Sequence, residues 1–195
     1  MNTRCCYGGT FDPVHKGHLY FAEKILQAFR PAALFFIPAH RSPFKATAGH
    51  AEDVHRVNML RIAVKDRPQM RVSTAEIERG GVSYTLDTLK AFHAAFPGDR
   101  LFWVIGDDNL EDLHKWKGYP AHFDYADFIV LPRRPGDLEK RLADHPHAEQ
   151  LHPLAAETVK ISSTEIRRRI AAGKTVDGLL PEAVHAYIQE HGLYR

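Results

Sequence analysis

A chain of 195 residues that is 44% hydrophobic is long enough to bury a substantial core in one α/β unit. Lys and Arg number 26 against 24 Asp and Glu, a formal charge of +2, which argues against a general nucleic-acid coat or a membrane-surface protein. No stretch approaches the roughly twenty apolar residues that span a bilayer. The start of the chain lacks a long apolar leader, and the only cysteines, Cys5 and Cys6, are adjacent and cannot build a disulfide framework. A cytoplasmic protein with no membrane and no nucleic-acid partner is expected.

Short apolar runs alternate with amphipathic helical stretches, as in parallel β-α units. Arg4 to Tyr7 reads as a first strand, on which Cys5 and Cys6 point to opposite faces. A helix from His18 to Phe29 follows, with Leu19, Ala22, Ile25, Leu26 and Phe29 on one side. Ala33 to Pro38 (ALFFIP) is continuously apolar, as in a strand covered on both faces. The loop from Ala39 to Ala51 is longer than usual and suspect as functional. Val54 to Lys65 reads as helix, Met70 to Ser73 as a short strand, and Ser83 as the cap of a helix to about Phe96. Leu101 to Ile105 and Phe128 to Leu131 are strong strands, and Asp137 to Glu157 reads as a helix plus surface loop. Ser162-Ser163-Thr164-Glu165 matches a capping box before Ile166 to Ala172, with Gly173 at the stop, and Pro181 opens a last helix ending near His191. The sum is a Rossmann-like, doubly wound, mostly parallel five-strand sheet with C-terminal helices. One domain over residues 1–195 is expected, its part from 160 onward completing a ligand site.

Gly8-Gly9, His40, Gly106-Asp107-Asp108 and Arg133-Arg134 each follow a strand, so they should converge on the rim where such sheets bind ligands. The densest segment is GGTFDPVHKGH, from Gly8 to His18. Asp12-Pro13 alone reads as an ordinary helix entry and Gly8-Gly9 as an ordinary turn. Together with His15 and His18, three apart on a first helical turn, they make an anionic-phosphate grip, because helix N-termini carry free N–H groups and partial positive charge. Gly17, lacking a side chain, opens a gap between the two rings where a ligand fits. Lys45 read alone is a solvated loop lysine, and the run Arg167 to Arg169 turns at most one or two guanidinia to any one ligand. Trp116 stands where a ring could stack on a flat ligand. The class furthest from these readings is a metal- or nucleotide-sensing module using the thirteen histidines, although no His-Glu-x-x-His or Cys/His ligand spacing favours zinc.

Gly8 to His18 resembles the nucleotide-binding signature of the HIGH-motif nucleotidyltransferases. More narrowly, the chain is similar to bacterial nicotinate mononucleotide adenylyltransferases. That likeness rests on Glu76 to Leu89 with its SYTLDTL run, Ile105-Gly106-Asp107-Asp108-Asn109-Leu110 leading to Trp116, Arg133 to Gly136, Ile161 to Arg167, and the ending LLPEAVHAYIQEHGLY. The resemblance implies adenylyl transfer from ATP to nicotinate mononucleotide, giving deamido-NAD and pyrophosphate with Mg²⁺ accompanying ATP. Related acceptors, nicotinamide mononucleotide or phosphopantetheine, are the alternatives, and oligomeric state is left open.

His15 and His18 would be catalytic. Gly8, Gly9, Thr10, Phe11, Lys45, Gly106, Asp108, Arg133, Arg134, Ile161, Ser162, Ser163, Thr164 and Arg167 would hold ATP. Tyr84, Thr85, Asp108, Trp116 and Tyr119 would hold the mononucleotide. Two departures stand out. Ser42-Pro43-Phe44-Lys45 replaces the family's Pro-Pro-His-Lys, so the missing imidazole's work falls to Lys45, to His40, or to no residue. Asp107 replaces a small residue, adding negative charge beside an anionic substrate.

Overall fold

A computed structural model describes residues 1–43, 50–134 and 136–195. Six strands form one sheet: β1 (Thr3–Gly9), β2 (Ala33–Pro38), β3 (Met70–Val72), β4 (Arg100–Gly106), β5 (Asp127–Leu131) and β6 (Leu151–Pro153). Every neighbouring pair is parallel, in the order β3-β2-β1-β4-β5-β6. The strand order therefore reverses between β1 and β4, whose following connections leave in opposite directions and open a crevice at the C-terminal edge.

Five strands were expected, and the sixth is β6, inside the segment read as helix and loop. It has three residues, ends on Pro153 and pairs only with β5, so it is too short to show a period of two. The same segment does hold a short helix, α5 (Leu138–Ala143). The longer helices are α1 (Lys16–Phe29), α2 (Asp53–Val64), α4 (Thr85–Ala95), α6 (Ser163–Ala171) and α7 (Glu182–Glu190). A five-residue α3 (Ala75–Arg79) lies where no helix was expected.

Two cores sandwich the sheet. On one face Cys5, Tyr7, Phe36, Val104 and Leu131 pack against Ala22 and Ile25 of α1, Leu60 of α2, Ile166 of α6 and Val184 and Ile188 of α7. On the other, Cys6, Ile37, Trp103, Ile105 and Phe128 pack against Leu89 and Phe92 of α4, Leu113, and Leu142 of α5. The adjacent cysteines thus fall on opposite faces, as strand alternation requires. Burial pushes the Cys5 thiol up to about 12 and raises that of Cys6 too, so both behave as packing groups and not as nucleophiles. All six residues of β2 are buried, in keeping with ALFFIP. Among the described residues no helix is long and apolar enough to cross a membrane.

Candidate active site

The crevice is a cavity of about 620 Å³, large enough for a nucleotide-sized ligand. Its floor is the end of β1. A Cβ at Gly8 would collide with the Trp103 indole, and a Cβ at Gly106 would run into Arg133 and Asp108. At Gly8 only glycine lets the backbone lie against the packed indole, while at Gly106 a side chain would have to displace the Asp108 carboxylate and the Arg133 side chain.

From Gly9 the chain passes through Phe11, at φ 50°, and a cis Asp12–Pro13 peptide before entering α1. Asp12 and Pro13 do not start the helix as expected; His15 caps it. The His15 Nδ1 accepts the His18 backbone N–H at 3.3 Å, and the His18 Nδ1 accepts the His15 N–H at 3.2 Å. Two histidines thereby perform the reciprocal exchange usually made by a hydroxyl and a carboxylate. Their rings stack with centroids 3.6 Å apart and planes 18° from parallel. The gap expected between them is therefore absent. Gly17 instead leaves room for the His15 ring and Val159, each about 3.1–3.2 Å from where its Cβ would stand.

The cap also decides the tautomers. A ring nitrogen that accepts an N–H is unprotonated, so in the neutral rings the proton sits on Nε2, and that is the donor each can offer a ligand. Burial, reinforced by the Arg133 guanidinium, pulls His15 down to about 4. In the free protein at neutral pH, His15 is an uncharged Nε2–H donor.

The cavity gathers Gly8, Gly9, Thr10, Phe11, His15, His18, Thr85, Gly106, Trp116, Arg133, Ile161, Ser162, Ser163, Thr164 and Arg167. The last group is the start of α6, where Ser162 Oγ accepts the Glu165 N–H at 3.2 Å and Ser163 Oγ donates to the Pro13 carbonyl at 3.0 Å. Only half of the expected capping box forms there, because the Glu165 carboxylate turns to Arg168 and Arg169. Arg167 donates to the Asp12 carbonyl at 2.7 Å and lies 3.5 Å from its carboxylate, which joins α6 to the segment before α1. Two helix N-termini thus border one cavity.

Other expected positions sit elsewhere. Arg134 pairs with Glu111 at an exposed site. Asp108 does not line the cavity itself but lies 3.6 Å from Arg133, which does. The Tyr84 ring is covered by Lys117, its residue preceding α4 without a side-chain cap. Tyr119 packs edge-on to Phe123 and His147. Ser83, expected to cap α4, has its Oγ accepting the His40 N–H at 3.0 Å. His40 itself is held by Asp53, 2.5 Å away, which also pairs with Arg56, and Arg56 donates to the Thr10 carbonyl at 2.7 Å. Phe44 and Lys45 lie outside the described residues.

Asp107 corrects the electrostatic expectation. Its side chain is 1% exposed and accepts the backbone N–H groups of Arg133 and Arg134, at 3.1 and 3.2 Å, and the Arg141 guanidinium at 2.8 Å. Its charge is spent inside the protein, anchoring the turn after β5. Sequence patterning alone gives no sign of that partner, since Arg141 is 34 residues away on α5.

Residues missed by sequence reading also line the cavity, among them Tyr7, Glu76, Trp103 and Asn109. Tyr7 and Trp103 lie inside segments whose sequence signals strand and nothing more. Glu76 is 4% exposed and accepts the Thr88 hydroxyl at 2.6 Å, and burial raises its pKa. An acidic residue in a short helix that leads into SYTLDTL was the available signal.

Residues 6–169 match the family described as cytidylyltransferase-like. The chain is also 36% identical over 191 residues to nicotinate-nucleotide adenylyltransferase of Bacillus subtilis, covering 96% of each. The chain belongs to the nicotinate-nucleotide adenylyltransferase branch of the cytidylyltransferase-like family. Two structures of the Plasmodium falciparum nicotinic acid mononucleotide adenylyltransferase, one complexed with APC and one with NaAD, superpose with TM-scores of 0.83 and 0.82. Both cover 100% of this chain and 98% of theirs at 20% identity, a likeness of fold. Members of this branch are nucleotidyltransferases of NAD biosynthesis.

Proposed function

We propose that this protein transfers the adenylyl group of ATP to the phosphate of nicotinate mononucleotide, forming the nicotinate adenine dinucleotide and pyrophosphate. A phosphate oxygen of the mononucleotide attacks the α-phosphorus as the bond to pyrophosphate breaks. The nucleophile is already an anion, so the protein needs no general base. What remains is alignment and stabilisation of charge growing on the phosphoryl oxygens.

The observation that carries this reading is the reciprocal His15–His18 cap at the switch point of the sheet. It fixes each Nδ1 as an acceptor, leaves Nε2–H as the donor of each ring, and costs no rearrangement during the reaction. The starts of α1 and α6 supply partial positive charge, and Arg133 and Arg167 supply full charges for the triphosphate. The backbone from Gly8 to Phe11 and from Ile161 to Thr164 would line its path. Trp116 would stack on the pyridine, with Thr85 beside it offering a helix N-terminus to the ring carboxylate. Asp108, beside Arg133, would meet the ribose region.

Among the described residues no three His, Cys, Asp or Glu side chains are grouped to hold an ion. Mg²⁺ would therefore travel on the ATP phosphates and keep most of its waters. Its chemistry is neutralisation of phosphate charge, and every role assigned above belongs to protein groups.

The test mixes purified protein with Mg·ATP and nicotinate mononucleotide and follows dinucleotide and pyrophosphate by chromatography. Nicotinamide mononucleotide and phosphopantetheine run in parallel as acceptors. Equimolar dinucleotide and pyrophosphate from the nicotinate acceptor are expected. ATP binding without turnover, or equal use of the amide, would overturn the assignment.

A further inference from the structure

Among the described residues three buried side-chain atoms lack a hydrogen-bond partner: Tyr7 Oη, Asp12 Oδ2 and His122 Nδ1. Asp12 Oδ2 is compensated electrostatically by Arg167 at 3.5 Å and His50 at 3.6 Å. His122 packs edge-on to Trp116 and Phe128. Tyr7 and Asp12 both line the nucleotide cavity, but a carboxylate only accepts, whereas the Tyr7 hydroxyl, on a residue 3% exposed, is a donor.

The ring has no freedom to carry its hydroxyl elsewhere. It stacks on Phe36 at 5.5 Å, meets Phe11 edge-on at 5.6 Å and meets His18 edge-on at 6.1 Å. Its backbone is bonded into the sheet between β2 and β4. The groups that act on the hydroxyl are Asp108 and Arg133; Arg133 lines the same cavity and approaches as a hydrogen-bonding guanidinium, which has no acceptor, so the Tyr7 O–H stays unused as a donor. Burial raises its pKa, which keeps the group a neutral O–H donor. A phenylalanine would fill the same aromatic cluster without burying an unsatisfied polar atom. The hydroxyl is therefore an unfavourable feature of the free fold that a ligand can relieve.

We propose that Tyr7 Oη donates a hydrogen bond to a phosphate oxygen of bound ATP, making Tyr7 a substrate contact beside His15 and His18. The proposal rests on the adenylyl-transfer reading above. Donors to charged oxygens are the stronger class of hydrogen bond, so losing this one is felt in nucleotide affinity or turnover.

The experiment compares wild type with Tyr7→Phe in steady-state kinetics and thermal unfolding. The variant is expected to lose about 10- to 100-fold in kcat/KM for ATP. Its KM for nicotinate mononucleotide should be unchanged. Without ligand its Tm should equal or exceed the wild-type value, by up to about 4 °C, because the orphaned hydroxyl is gone. Saturating ATP should then raise its Tm less than it raises that of wild type. A kcat/KM for ATP within twofold of wild type, or a free variant that melts lower, would overturn the proposal. Wild-type protein that makes no dinucleotide would instead refute the reading beneath it, and the two failures are distinguishable.

Discussion

Replacing Asp107 by alanine tests how a buried carboxylate organises the arginine-bearing turn after β5. In the folded protein it accepts two backbone N–H groups and one guanidinium while 1% exposed. Alanine leaves the N–H groups of Arg133 and Arg134 without that acceptor, at about 1–3 kcal/mol each. Arg141, whose side chain is 31% exposed, can turn to water and adds little. The total is about 3–5 kcal/mol, nearly all of it from the two N–H groups left without an acceptor. For a chain of 195 residues this lowers Tm by about 6–20 °C. Urea unfolding monitored by tryptophan fluorescence reads the stability directly, and asparagine, which keeps one acceptor oxygen, should lose about half as much. Because Arg133 rides on the same turn, KM for ATP should rise in the folded fraction while KM for the pyridine mononucleotide holds. A loss under about 1 kcal/mol would refute the claim that Asp107 is a buried anchor.

Other outcomes follow from the same geometry. His18→Ala should lower kcat by about a hundredfold or more, the scale of one lost transition-state donor, and an unchanged turnover would remove His18 from the mechanism. His15 falls from 6.5 to about 4 on folding, so the unfolded chain binds the extra proton between those values and stability drops as pH falls through that window. The full effect is about 3 kcal/mol, and His15→Asn, which retains a capping oxygen, should show a shallower pH dependence of urea unfolding from pH 6.5 to 4; identical slopes would contradict the assignment. Trp116→Ala should raise KM for nicotinate mononucleotide about tenfold with KM for ATP nearly unchanged, as loss of an aromatic stacking surface does. A variant that instead loses ATP affinity would place Trp116 in the wrong half of the cavity.

The fold was largely legible in the chain because its central strands are continuous apolar runs and helices such as α1 and α7 keep a 3.6-residue stripe. ALFFIP and LFWVI could only be buried strands, and their alternation with α1, α2 and α4 required parallel pairing. The glycine- and histidine-bearing segment that lines the cavity was equally visible, since Gly8, Gly9, His15 and His18 lie within eleven consecutive residues. Local spacing also put the two histidines on one helical turn. It could not say that they cap that turn and stack on each other, because the cap depends on how the chain enters from Phe11 and Asp12.

What stayed hidden was every feature made by residues far apart in sequence. β6 is too short to carry a pattern and exists through pairing with β5. Arg167 reaches Asp12 across 155 positions, and Asp107 finds Arg141 across 34. A side chain's charge is written in the sequence, but whether that charge meets a substrate or is neutralised in the interior depends on which elements pack beside it. Asp107 and Tyr7 make the contrast plain: the acid expected to face the ligand is bonded within the protein, while a tyrosine read only as the end of a strand lines the cavity with its buried hydroxyl unpartnered. Periodicity records hydrophobic faces over a few turns, and only folding in three dimensions sets distances between segments.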